Sequence, residues 1–278
     1  MTVGEVLLDG IVFGESPRWH EGRLWFSDWG AHKVLALGGD GRAEVVARVE
    51  SFPMCIDFLP DGRLLIVDSA RGRVLRREPD GVLVTHAELA AFTDKPWNDI
   101  VVDAHGNAYV NSIGFDFPGG AFAPGFVVLV TPEGRVRRVA EDLAFPNGMA
   151  ITPDGRTLIV AESYAEQLTA FDISASGELG GRRVWSPTPG DHPDGICLDT
   201  DGAAWYADVG NRRCVRVAEG GKELTTVEWD RGAFACALSR GTAPRLFVVG
   251  QEFGDIGTPE PSGRVVMFPA PAPGAGYP

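Results

Sequence analysis

The chain of 278 residues is poor in several things, and each shortage excludes something. Its four cysteines (Cys55, Cys197, Cys214 and Cys236) are scattered with no Cys-x-x-Cys spacing. That pattern supports neither a zinc ribbon nor a disulfide framework, and in a chain expected to be cytoplasmic the four read as reduced, buried small hydrophobes. Positive charge is short, with 25 Lys and Arg against 38 Asp and Glu and a net charge of −13. A nucleic-acid or anionic-membrane partner needs a basic face, so neither is expected. No apolar run approaches a membrane span. The stretch Met1-Thr2-Val3-Gly4-Glu5-Val6 lacks the basic segment and apolar run of a secretory leader, hence the cytoplasmic expectation. Long helical periodicity is missing as well.

What is present is a repeat. Asp-Gly or similar turn glycines recur at Gly22, Gly62, Gly106, Gly155, Gly202 and Gly241, a spacing of about 40 to 50 residues that matches a four-stranded propeller blade. A short β-type run follows each, such as Leu24–Asp28, Leu64–Asp68, Leu158–Glu162 and Ala204–Asp208. Several of these are apolar on both faces, as strands sandwiched between neighbours must be. Six repeats predict an all-β, six-bladed β-propeller with a central axial site. One domain over 1–268 follows, closed by Glu5-Val6-Leu7-Leu8 beside Arg264-Val265-Val266-Met267-Phe268, with a Pro-, Ala- and Gly-rich tail at 269–278 expected to be disordered. The main departure from the repeat is 113–122, whose phenylalanines and glycines suit either a lid over the axial mouth or a packed surface loop.

The repeats are chemically unequal at one position. Asn98, Asn147 and Asp194 each stand eight residues before their turn glycine (Gly106, Gly155, Gly202), and Glu15 stands seven before Gly22. Equal offsets in a ring of repeats aim side chains at a common centre. The matching residue of the second repeat is Met54 and of the sixth Ala233 or Phe234, so the axis is polar on one side and apolar on the other. Two carboxylates converging with two amides repel without a cation. Their oxygens are hard donors, which selects Ca²⁺ or Mg²⁺ first, with Mn²⁺ or Zn²⁺ tolerated. The plainer alternative is that Asp and Asn shape turns before strands. Four polar residues in register, one of them a Glu, favour the metal.

The strings Gly14-Glu15-Ser16-Pro17-x-Trp19, Trp97-Asn98-Asp99, Pro146-Asn147-Gly148 and Pro193-Asp194-Gly195 together resemble the SMP-30/gluconolactonase/LRE family. That family includes regucalcin-like and bacterial sugar lactonases and is related in structure to diisopropyl fluorophosphatases. The resemblance runs through nearly the whole chain. It implies a six-bladed propeller, with Glu15, Asn147 and Asp194 as ligands of a divalent cation. Asn98 would sit at the metal and substrate, and Asp194 would be the catalytic carboxylate. One departure stands out: the regucalcin-like branch carries an arginine for its sugar lactone two residues before the equivalent of Asn98, where this chain has Pro96 beside Lys95.

The expected activity is therefore metal-assisted opening of a lactone, with Asp194 as general base or as direct nucleophile. Met54, Phe115, Phe117, Tyr164 and Phe234 would form a mouth more apolar than a sugar prefers. A less polar lactone, ester or phosphotriester at the same metal is the second reading. A non-catalytic metal- or ligand-binding propeller is the third, and carbon–carbon bond formation as in strictosidine-synthase-like propellers the weakest. His192 reads as a rim histidine, and Ser16 and Ser163 lack a nucleophile-elbow context.

Overall fold

The computed structural model describes residues 4–39, 41–252 and 261–277. Met1 to Val3, at the start of the leader reading, and Pro278 of the tail lie outside the described residues. The strands form six antiparallel sheets. The first strand of each, Gly14–His20, Pro53–Phe58, Trp97–Val102, Pro146–Ile151, Pro193–Asp199 and Gly232–Leu238, touches the first strand of the next sheet. The contacts run from blade one through blade six and back to blade one, so the ring is closed and these six strands line its axis.

There is no single core. Six apolar clusters fill the six gaps between adjacent blades. Between blades two and three, for example, Leu65 and Val67 meet Trp97, Ile100 and Val110, all fully buried. Second strands such as Leu64–Asp68, Ala108–Ser112 and Ala204–Asp208 are buried at every residue, because each faces a cluster on both sides. This is why they read as continuous apolar runs instead of alternating. Each buried aliphatic or aromatic side chain contributes roughly 1.5–3 kcal/mol, so the blades are held mainly by their neighbours.

The acid ending several of these strands is structural. Asp28 Oδ1 accepts the Phe13 N–H at 3.0 Å, Glu162 Oε2 accepts the Ala144 N–H at 2.7 Å and Asp68 pairs with Arg73 at 2.8 Å.

The ring closes as its sequence suggests: Glu5–Ile11 lies antiparallel along Gly263–Pro269 as the outer strand of blade six, and Arg264 bonds Asp9 at 2.8 Å. The tail does not follow its composition. Gly274–Ala275 pairs with Leu198 and Asp199, Tyr277 exchanges backbone hydrogen bonds with Ile151, and Thr200 donates to Pro273 O. Leu198 and Ile151 end inner strands far from the mouth, so the segment expected to be disordered instead packs across the bottom of the axis. Unpaired backbone at those strand ends supplies the partners that its low hydrophobicity conceals. All four cysteines are free and buried.

Candidate active site

The inner strands share one irregularity. Each breaks register with its neighbour near its start: between Glu15 and Arg18, Pro53 and Ile56, Trp97 and Ile100, Pro146 and Met149, Pro193 and Ile196, and Ala233 and Ala235. A bulge bends the strand and re-aims the side chains beside it. Here it gathers Glu15, Met54, Asn98, Asn147, Asp194 and Phe234 onto the lining of a single cavity of about 580 Å³. Blade one reaches the same ring despite its shorter offset. Its hairpin turns at Glu21-Gly22, whereas the corresponding turns between Val102 and Ala108 and between Leu198 and Ala204 are longer. Glu15 stands three residues before Arg18, which pairs with Trp25, just as Asn98 stands three before Val101, which pairs with Tyr109, so the shorter turn alone accounts for the shorter offset.

The glycines after Asn147 and Asp194 are steric requirements. A Cβ on Gly148 would stand 2.6 Å from Asp194 O, and one on Gly195 would stand 2.4 Å from the Ala235 Cβ. Larger residues would push the inner strands of blades four, five and six apart and scatter the ring.

The polar side of the ring is internally bonded. Asn98 Nδ2 donates to Asn147 Oδ1 at 3.1 Å, and the Asn147 amide also reaches the Asp194 carboxylate. Ser163 Oγ donates to Pro193 O at 2.7 Å and lies 3.4 Å from Asn147 Nδ2. Ser16 Oγ donates to Ile56 O and accepts the Ile56 N–H, so both serines are committed to holding strands. His192 lines the cavity, with Nδ1–H donating to Ser163 O at 2.9 Å.

Burial raises the pKa of Glu15 to about 8, against the lowering effect of the Ser16 N–H and with a further rise from Asp99. Burial and then the Glu15 charge push Asp194 well above the usual carboxylate range. The two acids thus disfavour one another's ionised form, and only protons or a cation relieve them. Among the described residues no three His, Cys, Asp or Glu side chains gather to hold a metal by themselves. The set at the axis is two carboxylates completed by the amide oxygens of Asn147 and Asn98. All are hard oxygen donors, and such a set fits a divalent cation of the calcium or magnesium kind.

A second layer, unread in the sequence, lies directly beneath. Ser16, Arg18, Cys55, Asp99, Gly148, Gly195 and Cys236 enclose a small void below the ring. Arg18, 5 % exposed, donates to Asp99 Oδ1 at 3.1 Å and to Ile100 O at 2.8 Å, with Asp57 at 3.8 Å. Asp99 Oδ2 accepts the Met149 N–H at 2.6 Å, and Asn111, which accepts the Asp99 N–H, donates to Asn147 O at 2.7 Å. The strands bearing Glu15, Asn98 and Asn147 are thereby tied together under the cavity floor. A lone Arg and an Asp 81 residues away give no spacing signal to find.

The walls are apolar, with Phe13, Trp29, Met54, Phe117, Phe145 and Phe234 among them. Tyr164 lines the rim and is half exposed. Phe115, expected at the substrate, is not on the cavity surface. It is buried between Phe117, Phe122, Phe145 and Tyr164, with ring centroids 5.6 to 6.3 Å away, and anchors the 113–122 segment to the blade-four loop. Ile113, Phe117 and Pro118 are the residues of that segment that line the cavity, so it serves as a wall. Pro96 lines the same wall, while Lys95 is engaged with Asp116 at 3.0 Å and does not replace the missing arginine.

Comparison with known proteins gives one picture. A family model described as the SMP-30/Gluconolactonase/LRE-like region matches residues 13–251. Regucalcin from Danio rerio is 27% identical over 224 residues, covering 77% of this chain and 74% of that protein. A gluconolactonase structure from Xanthomonas campestris superposes with a TM-score of 0.78 at 26% identity, covering 96% of this chain and 89% of that one. The structure of a calcium-binding regucalcin from Agrobacterium tumefaciens superposes with a TM-score of 0.82 at 22% identity over 99% and 95% of the two chains, a likeness of fold.

Proposed function

The chain belongs to the SMP-30/gluconolactonase/LRE-like family, and from that premise we propose that it is a metal-dependent hydrolase that opens a lactone ring. The observation that carries this reading is the asymmetric ring. Two carboxylates and two amides face apolar walls at the floor of a cavity large enough for a small organic ester. Glu15, Asn147 and Asp194 would hold the cation, with Asn98 beside it; Ca²⁺ is the first choice for such oxygens, and Mg²⁺, Mn²⁺ and Zn²⁺ are substitutes. Bound there, the ion would polarise the ester carbonyl and offset the charge developing on its oxygen.

The chain supplies the proton transfers. Asp194 accepts a proton from the attacking water as the new C–O bond forms, and returns it to the ring oxygen as the old C–O bond breaks. The Asn147 amide orients the Asp194 carboxylate, and Asn98 Nδ2 holds the Asn147 oxygen in place. Direct attack by Asp194 on the carbonyl is the competing chemistry. Apolar walls in place of an arginine at Pro96 support a less polar lactone or ester over a sugar lactone.

The test is proton release in weak buffer from sugar and aliphatic lactones, with each cation, after chelation, and for Asp194→Ala. Cation-dependent turnover lost in the variant is the expected result. A folded, cation-loaded protein that opens no lactone would overturn the lactonase reading and shift it to esters or to binding alone.

A further inference from the structure

One cation lines the cavity without an assigned partner. Arg212 lies on the mouth turn of blade five, next to Val209 and Gly210, which also line the cavity. It is the one arginine or lysine among the described lining residues. Its side chain makes no hydrogen bond or ion pair among the described residues, although Arg213 beside it holds Asp191 at 2.7 Å.

The repeat shows that this is not the ordinary use of the position. In four blades the residue just before the third strand is left-handed: His32, Gly72, Glu166 and Arg212, with φ of 56°, 58°, 51° and 54°. A side chain there is strained relative to glycine, and blade two has the glycine. Blades one and four use the side chain to fasten the next loop. His32 Nδ1 donates to Ser51 O at 2.6 Å, and Glu166 Oε2 accepts the Gly190 N–H at 2.8 Å. Arg212 carries the same backbone strain with no such fastening in return, and it faces the cavity instead.

We propose that Arg212 is a specificity-determining residue that binds an anionic substituent of the substrate. The favoured substrate class is then a lactone or ester with an apolar body and a carboxylate remote from the scissile bond. This rests on the hydrolase reading for the reaction, though not for the binding. The apolar body lies against Trp29, Phe145 and Phe234, the scissile carbonyl reaches the floor, and the carboxylate stays at the wet rim. There the guanidinium offers a planar, paired donor edge. The placement also keeps the substrate's charge away from Glu15 and Asp194.

Two experiments separate this inference from the hydrolase reading. Calorimetric binding of 4-phenylbutyrate and of neutral 4-phenylbutyramide is measured in chelator for the wild type, Arg212→Gln and Arg212→Lys. The carboxylate is expected to bind Arg212→Gln about tenfold more weakly, with Arg212→Lys intermediate, the amide unchanged and the difference shrinking with salt. Equal carboxylate binding by wild type and Arg212→Gln, or equal loss for both probes, overturns the proposal. Hydrolysis of 4-nitrophenyl hydrogen glutarate and 4-nitrophenyl valerate follows. A KM raised about tenfold for the charged ester alone, at unchanged kcat, supports it. Ester turnover indifferent to Arg212 overturns the proposal and leaves the hydrolase standing. Failure of the wild type to cleave either ester, with the binding difference intact, removes esters from the reaction and leaves Arg212 as the anion site.

Discussion

The guanidinium of Arg18 stands 3.1 Å from the Asp99 carboxylate, on the axis and one layer beneath the ring of Glu15, Asn98, Asn147 and Asp194. Both are almost wholly buried. Removing one partner of such a pair strands the other, at a cost of about 3–5 kcal/mol. Arg18→Met is therefore expected to lower the unfolding free energy read from a urea titration by that amount. A loss below about 1 kcal/mol would show that the blades close without this pair.

Burial raises both Glu15 and Asp194 in the cation-free protein, with Asp99 adding to the first and the Glu15 charge to the second. Glu15→Gln and Asp194→Asn are expected to melt no lower than the wild type in chelator, and higher if repulsion dominates the lost contacts. Added Ca²⁺ reverses the order. A cation at 100 times its Kd stabilises the wild type by about 2.7 kcal/mol and leaves the variants little changed. Thermal shift with and without chelator reads this, and identical calcium responses in all three proteins would remove these residues from the ligand set.

Two histidines away from the site contribute stability that is lost on acidification. His20 stacks on Phe58 with centroids 3.7 Å apart, and its pKa is lowered by burial. His86 is lowered by burial and then by Arg76, whose guanidinium lies 3.2 Å away. A folded value below the unfolded 6.5 means that the unfolded chain binds protons first. Their contribution is intact above pH 6.5 and is lost as pH falls through it. The raised carboxyls of Glu15 and Asp194 work in the opposite sense, gaining stability as they take up protons, so the histidine share is read as a difference: between pH 7.5 and 5 the urea midpoint of the wild type is expected to fall relative to that of His86→Gln, and parallel profiles would remove His86 from the account.

Truncation after Ala270 removes the Tyr277–Ile151 and Pro273–Thr200 hydrogen bonds beneath the axis. At about 1 kcal/mol per hydrogen bond, a loss of 2–3 kcal/mol and a fall of several degrees in melting temperature are expected. An unchanged melting temperature would make the segment a bystander.

The blades, the closing strand and the upper ring were legible because a repeat exposes its own exceptions: Glu15, Asn98, Asn147 and Asp194 stand out only against Met54 and Phe234 at the same offset. Three things were not. Phe115 and Phe117 are two residues apart in a segment without strand periodicity, so which one faces inward is decided by packing on Phe145 and Tyr164. The tail looked unstructured because its order comes from backbone partners that composition does not encode. The Arg18–Asp57–Asp99 network joins three blades through residues that look, singly, like ordinary strand polars.

The antiparallel pairing of Glu5–Ile11 with Gly263–Pro269 also sets a timetable. A ribosome delivers Asp9 255 residues before Arg264, so the earlier strand waits unpaired while the intervening blades are made. Glu15 and Asp194 belong to blades that complete their circuit only when that wait ends. No nascent fragment holds the assembled ring, and an unfinished chain is left with an open sixth blade as an exposed edge for chaperones or proteases to find.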